Sequence, residues 1–199
     1  MAIDVFMWFQ DYKGVYLKSE SQVRLTKAVG DRDEIIGPFL KAEAAYGAPN
    51  SGLFEVSDYS FDIAQTLNIG SQSAGSGAGK VTFDPFTITR KIDCASPILF
   101  QMACAGTPFQ FVGLGIRKST GGAAAGVMNL AFTFKLVAVK TISYVHDVEA
   151  PKEVVTFEYG GQCIQYAQQK PDGTLLAPVL GGWDRVHNLA SLDPTKPIV

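Results

Sequence analysis

Between Tyr59 and Gly106 the chain spells a strand, a glycine-rich turn, a second strand and one short helix, in the segments YSFDIAQTLN, IGSQSAGSGAGK, VTFDPFTITRKID and CASPILFQMACAG. The first strand puts Tyr59, Phe61, Ile63, Leu67 and Ile69 on one face, with Gln65 the one lapse, and Asp58, Ser60, Asp62 and Asn68 on the other. A period of two with one apolar face describes a half-buried antiparallel strand. In the second strand Val81 and Phe83 sit at odd positions, then Phe86, Ile88 and Ile92 at even ones. The parity changes at Asp84-Pro85. Proline cannot donate to a ladder, so this point predicts a bulge or a bend at a barrel corner. The helix is punctuated by Ser96 as N-cap, Pro97 at its first position and Gly106 as its stop. Ile98, Leu99, Met102 and Ala103 make the stripe expected to dock on the sheet, since about nine residues do not hold a helix in water alone.

The rest of the chain follows the strand period. Ile3, Val5, Met7 and Phe9 alternate up to a stop at Gly14, with Phe6 and Trp8 opposite, so both faces of this strand are expected to be covered. Leu130, Phe132, Phe134, Leu136, Ala138, Ile142 and Tyr144 share one parity, broken by Lys140. VVTFEYG runs on to CIQYAQQ through a bulge expected at Gly160-Gly161. GLGIRKSTGGAAAG, residues 113–126, reads as a flexible loop, and Lys170-Pro171-Asp172-Gly173 as a turn. Residues 18–50 are a charged excursion too short to own a core. Within it Pro38 and Gly47 bracket a helix of about two turns. Deleting 19–49 is expected to spare the fold. One helix among many strands predicts a mainly β, antiparallel β-barrel with a short flanking α-helix, built as one domain over residues 1–199.

Composition narrows the function. The 199 residues are 47% hydrophobic and 18% charged, with a net charge of −2. Such a chain is apolar but not disordered, and its charge argues against nucleic-acid or membrane-surface binding. No apolar run approaches the ~20 residues that span a bilayer, so no membrane insertion is expected. The opening MAIDVFMWFQDYKG lacks the basic start and apolar run of a secretory signal. Cys94 and Cys104 bracket the helix, which separates them by roughly 15 Å, beyond disulfide reach. With Cys163 they are expected to be buried, reduced thiols.

The motifs that carry chemistry are incomplete in this chain. GSGAGK, residues 75–80, has Ala74 and Val81 where a phosphate loop needs glycine and serine or threonine. Lys80 stands where a dinucleotide loop needs its third glycine. Ser76 lies between Ala74 and Ala78, not between the glycines of a nucleophile elbow. His146 and His187 are isolated and read as solvated or capping residues. No spaced cysteine and histidine pairs suggest a metal. Asp62, Asp84 and Asp93 could converge as a carboxylate site but read as solvated strand-end acids, and Arg90, Lys91, Arg117 and Lys118 are too dispersed for a nucleic-acid surface. No catalytic residue, cofactor or metal is expected.

YSFDIAQTLN…GAGKVTFDPFTITRKIDCASPILFQMACAG resembles the centre of the Hcp family, the tail-tube proteins of type VI secretion systems. The resemblance rests on Gly79-Lys80-Val81, the Thr-Ile-Thr strand, and Asp93 followed by Ser96-Pro97. LAFTFKLVAVKTISYVHD, EVVTFEYG and GGWDRVHN (Gly182, Trp183 and Asp184) extend it to about residues 53–189. It implies a protomer assembled as a homohexameric ring and stacked into a tube with a lumen for small effectors. Tail spike and sheath components would be its other partners. Assembly would occur in the bacterial cytoplasm, with release to the extracellular space or a target cell. Thr82, Thr87, Thr89, Thr133, Thr141 and Ser143 are expected on a lumen or solvent face, without a choice between the two. The 19–49 excursion is expected to serve ring stacking. A phage-type tail tube and a ligand-binding or enzymatic β-barrel are the competing readings.

Overall fold

The computed structural model describes residues 3–66, 81–118, 126–191 and 193–198. Its elements are β1 (Ile3–Gln10), α1 (Asp33–Glu43), β2 (Phe54–Glu55), β3 (Asp58–Ser60), β4 (Ile63–Gln65), β5 (Val81–Phe83), β6 (Phe86–Lys91), α2 (Ser96–Ala105), β7 (Phe109–Lys118), β8 (Val127–Val145), β9 (Lys152–Tyr166), β10 (Val179–Asp184) and β11 (Leu189–Ala190). The main sheet runs β11-β10-β9-β8-β7-β1-β2, with β6 on β9 and β3 on β6; β4 and β5 form a separate hairpin. All of these pairs are antiparallel.

The sheet does not close into the expected barrel. Residues 54–60 cross from β1 to β6, and Ser57 N–H donates to the Thr89 carbonyl at 2.9 Å. The ladders on that bridge are only two and three residues long, so the circuit is not one continuous sheet. The strand expected over 59–69 is broken as well. Phe61 turns inward against Phe132 and Phe134, with ring centroids 5.1 and 5.5 Å away, and Ile63 beyond it is exposed. Leu67 and Ile69 lie outside the described residues. The break at Asp84-Pro85 is found where it was expected, between β5 and β6.

Two cores lie on opposite faces of the sheet. Met7, Phe9, Phe86, Ile88, Phe134 and Phe157 belong to the first. Phe6, Trp8, Ile35, Phe39, Phe111 and Met128 belong to the second. β1 is therefore covered on both faces, as its two apolar parities require. The excursion does not own a core, yet it supplies Leu25 and, from α1, Ile35, Ile36, Phe39 and Ala42 to the second one. Removing 19–49 would uncover Phe6 and Trp8, which argues against a deletion that spares the fold. Pro38 does not start α1; it sits inside it, and the helix begins five residues earlier behind Asp33 and Glu34. Carboxylates in a first turn oppose the positive end of the helix dipole, which favours that earlier start.

The long strands do not keep one parity. Phe109, Val137 and Tyr159 face the first core in one row, and Val112 and Phe134 face it three residues along. Between these rows lie Gln110, Leu136 and Gly160, where each strand carries one extra residue. Leu136 has a φ of 50°, and a Cβ on Gly160 would come within 3.1 Å of the Leu136 side chain. Because all three strands turn over together, the Gly160-Gly161 irregularity shifts no register. Register does shift elsewhere, between Val139 and Thr141 and between Ile116 and Arg117. Thus Phe132 and Phe134, then Val137 and Val139, then Ile142 share a core that simple alternation would split.

Residues 113–118 are strand, not loop. A Cβ on Gly113 would lie 2.2 Å from Trp8 Nε1, and one on Gly115 2.6 Å from Phe39 Cζ. The glycines admit aromatic rings from β1 and α1. Residues 119–125 lie outside the described set.

Candidate assembly surfaces

The sheet and α2 are joined by a buried ionic cluster. Arg90 has the even parity of Phe86 and Ile88 and so points inward, where it is 2% exposed. Its Nε donates to Glu153 Oε1 at 2.7 Å, and its Nη2 donates to Asp93 Oδ1 at 2.5 Å and Ser96 Oγ at 3.1 Å. Ser96 Oγ accepts from the Asp93 N–H at 3.2 Å and donates to Glu153 Oε1 at 3.0 Å. Ser96 is thus not the N-cap; Ala95 holds that position, with no side-chain cap. The Ser96 hydroxyl is already taken by the ion pair. Pro97 stands second in the helix, one place later than expected, and Gly106 ends it in the left-handed region at φ 65°. Of the expected stripe Leu99 is buried and Met102 and Ala103 pack on the first core, whereas Ile98 is 39% exposed.

Gly182, Trp183 and Asp184 bring the C-terminal segment onto β8 and β9. A Cβ on Gly182 would lie 2.0 Å from the Ser191 carbonyl oxygen. The same carbonyl accepts from Cys163 Sγ at 3.3 Å, and the buried Lys135 ammonium donates to the Asp193 carbonyl at 2.5 Å. Asp184 caps the following turn, accepting from Val186 and His187 N–H at 2.9 Å and contacting His187 Nδ1 at 2.8 Å. Burial pushes the Asp184 carboxyl up, but the bonds from His187 and Val186 outweigh it and leave its pKa below the usual value. His187 is therefore a turn partner, and His146 is exposed.

The threonines expected on one face divide three ways. Ser60, Thr87, Thr156 and Thr141 form a row across β3, β6, β9 and β8, and Asp58, Thr89, Val154 and Ser143 form the next. Thr87 Oγ1 and Thr156 Oγ1 lie 3.1 Å apart. This face points away from the first core, with Thr141 and Ser143 exposed and Thr87 and Thr89 half-buried. Thr133 is not on an open surface; it is buried opposite Cys163, where the C-terminal segment folds over the sheet. Thr82 is exposed in a separate cleft.

That cleft, of about 1160 Å³, lies between the β4–β5 hairpin and β9–β10. Ile63, Phe83, Ile164 and Trp183 line it, together with Arg185. Arg185 donates to the Tyr159 carbonyl at 2.6 Å and stacks on the Phe83 and Tyr159 rings. Burial drives the Tyr159 hydroxyl up to about 12.

Asp62, Asp84 and Asp93 do not form a carboxylate cluster. Asp93 serves Arg90, while Asp84 meets Asp62 only through a backbone bond at 2.9 Å. No group of His, Cys, Asp or Glu among the described residues could hold a metal ion, and no described helix is long and apolar enough to cross a membrane. Cys163 is buried, but Cys94 is half-buried and Cys104 exposed, contrary to the expected burial of all three. Gly79 and Lys80 lie outside the described residues. Arg90 and Glu153 were missed in the sequence because charge was read as exposure. Their parity, shared with Phe86 and Ile88 and with Val155 and Phe157, carries the signal.

A family model described as "Type VI secretion system effector, Hcp" matches residues 45–166, more than half of the chain. The chain belongs to the Hcp family. These are secreted, β-rich tube proteins of type VI secretion, and the family forms oligomeric rings. No curated protein matches the sequence. Among solved structures, a type six secretion system protein aligns with 20% identity and a TM-score of 0.69 over 96% of this chain and 100% of its own. The Hcp1 protein from E. coli EAEC 042 pathovar gives 18% and 0.64 over 92% and 99%. Hcp1 from Salmonella typhimurium gives 22% and 0.61 over 96% and 100%. At these identities the likeness concerns the fold.

Proposed function

We propose that this chain is a single-domain structural subunit of a type VI secretion tail tube, assembled as homohexameric rings that stack around a lumen able to carry small effectors. The observation that carries this reading is the family match, supported by a fold shared along nearly the whole chain. The excursion and the C-terminal segment both pack on the one sheet, in keeping with one domain over 1–199. The proposed lumen wall is the Thr87, Thr89, Thr141 and Ser143 face. It is the part of the sheet's second side that neither α1 nor the C-terminal segment covers, and its short hydroxyl side chains suit passage of cargo without adhesion. Thr82 and Thr133 are left out of that wall. Tail spike and sheath components are the further partners, and the proposed route is assembly in the bacterial cytoplasm followed by release to the extracellular space or a target cell.

The test is labelling of Thr141→Cys in a Cys94→Ser/Cys104→Ser background. In assembled rings a small maleimide should react, and a stacked tube should shield the same site from a large maleimide-polyethylene glycol. Equal labelling by the large reagent in tubes and in free protomers would remove this face from the lumen.

A further inference from the structure

Past the turn that Asp184 caps, the chain doubles back over β8 and β9. Asn188 makes the reversal, with a φ of 54°. β11 pairs with β10 over two residues only, and Ser191 N–H donates to the Gly182 carbonyl at 3.1 Å. Pro194 and Pro197 then have no N–H with which to carry a ladder further. Among the described residues of 186–198 none is buried.

The floor under this segment is buried and polar. Thr133, Lys135 and Cys163 are 8%, 3% and 1% exposed. Cys163 Sγ donates to the Ser191 carbonyl at 3.3 Å, and the Lys135 ammonium donates to the Asp193 carbonyl at 2.5 Å and to Ser191 Oγ at 3.5 Å. Ile198 rests over Gly160 and Gly161, where an added Cβ would meet its Cδ1 at 3.1 and 2.9 Å. The fastening is thus a few bonds, mostly to backbone carbonyls, and one apolar side chain.

We infer that residues 189–198 are a strap that opens by itself, with the Asn188 turn as its hinge and Lys135 as its clasp, while both cores stay folded. The contrast with α1 decides this. α1 covers the same side of the sheet with Ile35, Ile36 and Phe39 fully buried, so lifting it would return apolar surface to water, the dominant cost of unfolding. Lifting the strap returns a hydroxyl, an ammonium and a thiol, which water solvates. Segments with few buried apolar contacts open far more readily than the whole domain. The opening is a property of the protomer and does not depend on the tube reading. It adds the Lys135 ammonium and the Cys163 thiol to the side of β8 that carries Thr141 and Ser143.

The experiment follows Cys163 in the full chain carrying Cys94→Ser and Cys104→Ser, with excess dithiobisnitrobenzoate at urea concentrations below the unfolding transition. So buried a thiol reacts only through opening, and its rate relative to the same thiol in the urea-unfolded chain gives the open fraction. The expected rate without urea is at least about a hundredfold above what global unfolding permits, and nearly flat in low urea because a short strap exposes little surface. Lys135→Met, which removes the clasp, and Gly182→Ala, whose Cβ would press on the Ser191 carbonyl, should each raise the rate about tenfold without steepening its urea slope. The Cys163 adduct, which cannot close, should keep a cooperative urea transition. A rate that matches global unfolding in size and urea slope would overturn the strap, as would an unfolded adduct. Labelling of Lys135→Met at the parent rate would overturn Lys135 as the clasp.

Discussion

Glu153 stands directly opposite Arg90 in the β6–β9 ladder, and its carboxylate accepts the Arg90 Nε at 2.7 Å with 0% and 2% of the two side chains exposed. The pair joins β6 and β9 to the start of α2 through Asp93 and Ser96. Buried ion pairs add little net stability over an apolar pair, but loss of one partner leaves an uncompensated charge. Arg90→Met, which leaves the buried Glu153 carboxylate unpaired, should therefore cost about 3–5 kcal/mol, and an Arg90→Met/Glu153→Leu double variant should recover most of it. Urea titration reads both; a double variant as unstable as the single would show that the ions are needed in themselves.

Gly182 is fixed by the Ser191 carbonyl, which a Cβ would approach to 2.0 Å. Gly182→Ala should displace the C-terminal segment at a cost of about 1–3 kcal/mol. Faster amide exchange at Asp193 and Lys196 with unchanged exchange in β8 is the expected pattern.

Tyr159 has a buried hydroxyl without a hydrogen-bond partner among the described residues. Burial raises its folded pKa to about 12, above the ordinary phenol value of 10.0. The folded state thus favours the protonated phenol, so this contribution to stability is whole below pH 10 and fades as pH rises to about 12. Tyr159→Phe should remove that part of the alkaline loss. By deleting an unsatisfied polar group, it should also hold or raise the melting temperature by a few degrees near neutrality, roughly 1 kcal/mol. Thermal melts at pH 7 and across pH 9–12 compare the two proteins.

Deletion of residues 19–49 removes Ile35, Ile36 and Phe39 from the second core. The expected product is aggregated or unfolded by circular dichroism. A folded deletion protein would contradict the two-core description.

The alternation in β1, the break at Asp84-Pro85 and the Gly106 stop were legible because each is local: a period, a missing N–H, a left-handed residue. The β8 pattern was misread because its parity turns over at Leu136 and again near Lys140, and those turns are set by neighbouring strands. Gly113 and Gly115 looked like a loop because nothing in their own segment names Trp8 and Phe39 as the rings they admit. The barrel failed on closure, since a two-residue β2 and a three-residue β3 leave no periodic trace. Arg90 and Glu153, the charges that join sheet to helix, were hidden by their residue type and visible only in their parity.

The most direct measurement of the central claim is electron microscopy of the purified chain, with mass under native conditions measured in parallel. Six-fold rings, stacking into tubes at high protein concentration, are the predicted result. A strictly monomeric species at the same concentration would contradict the tube-subunit account.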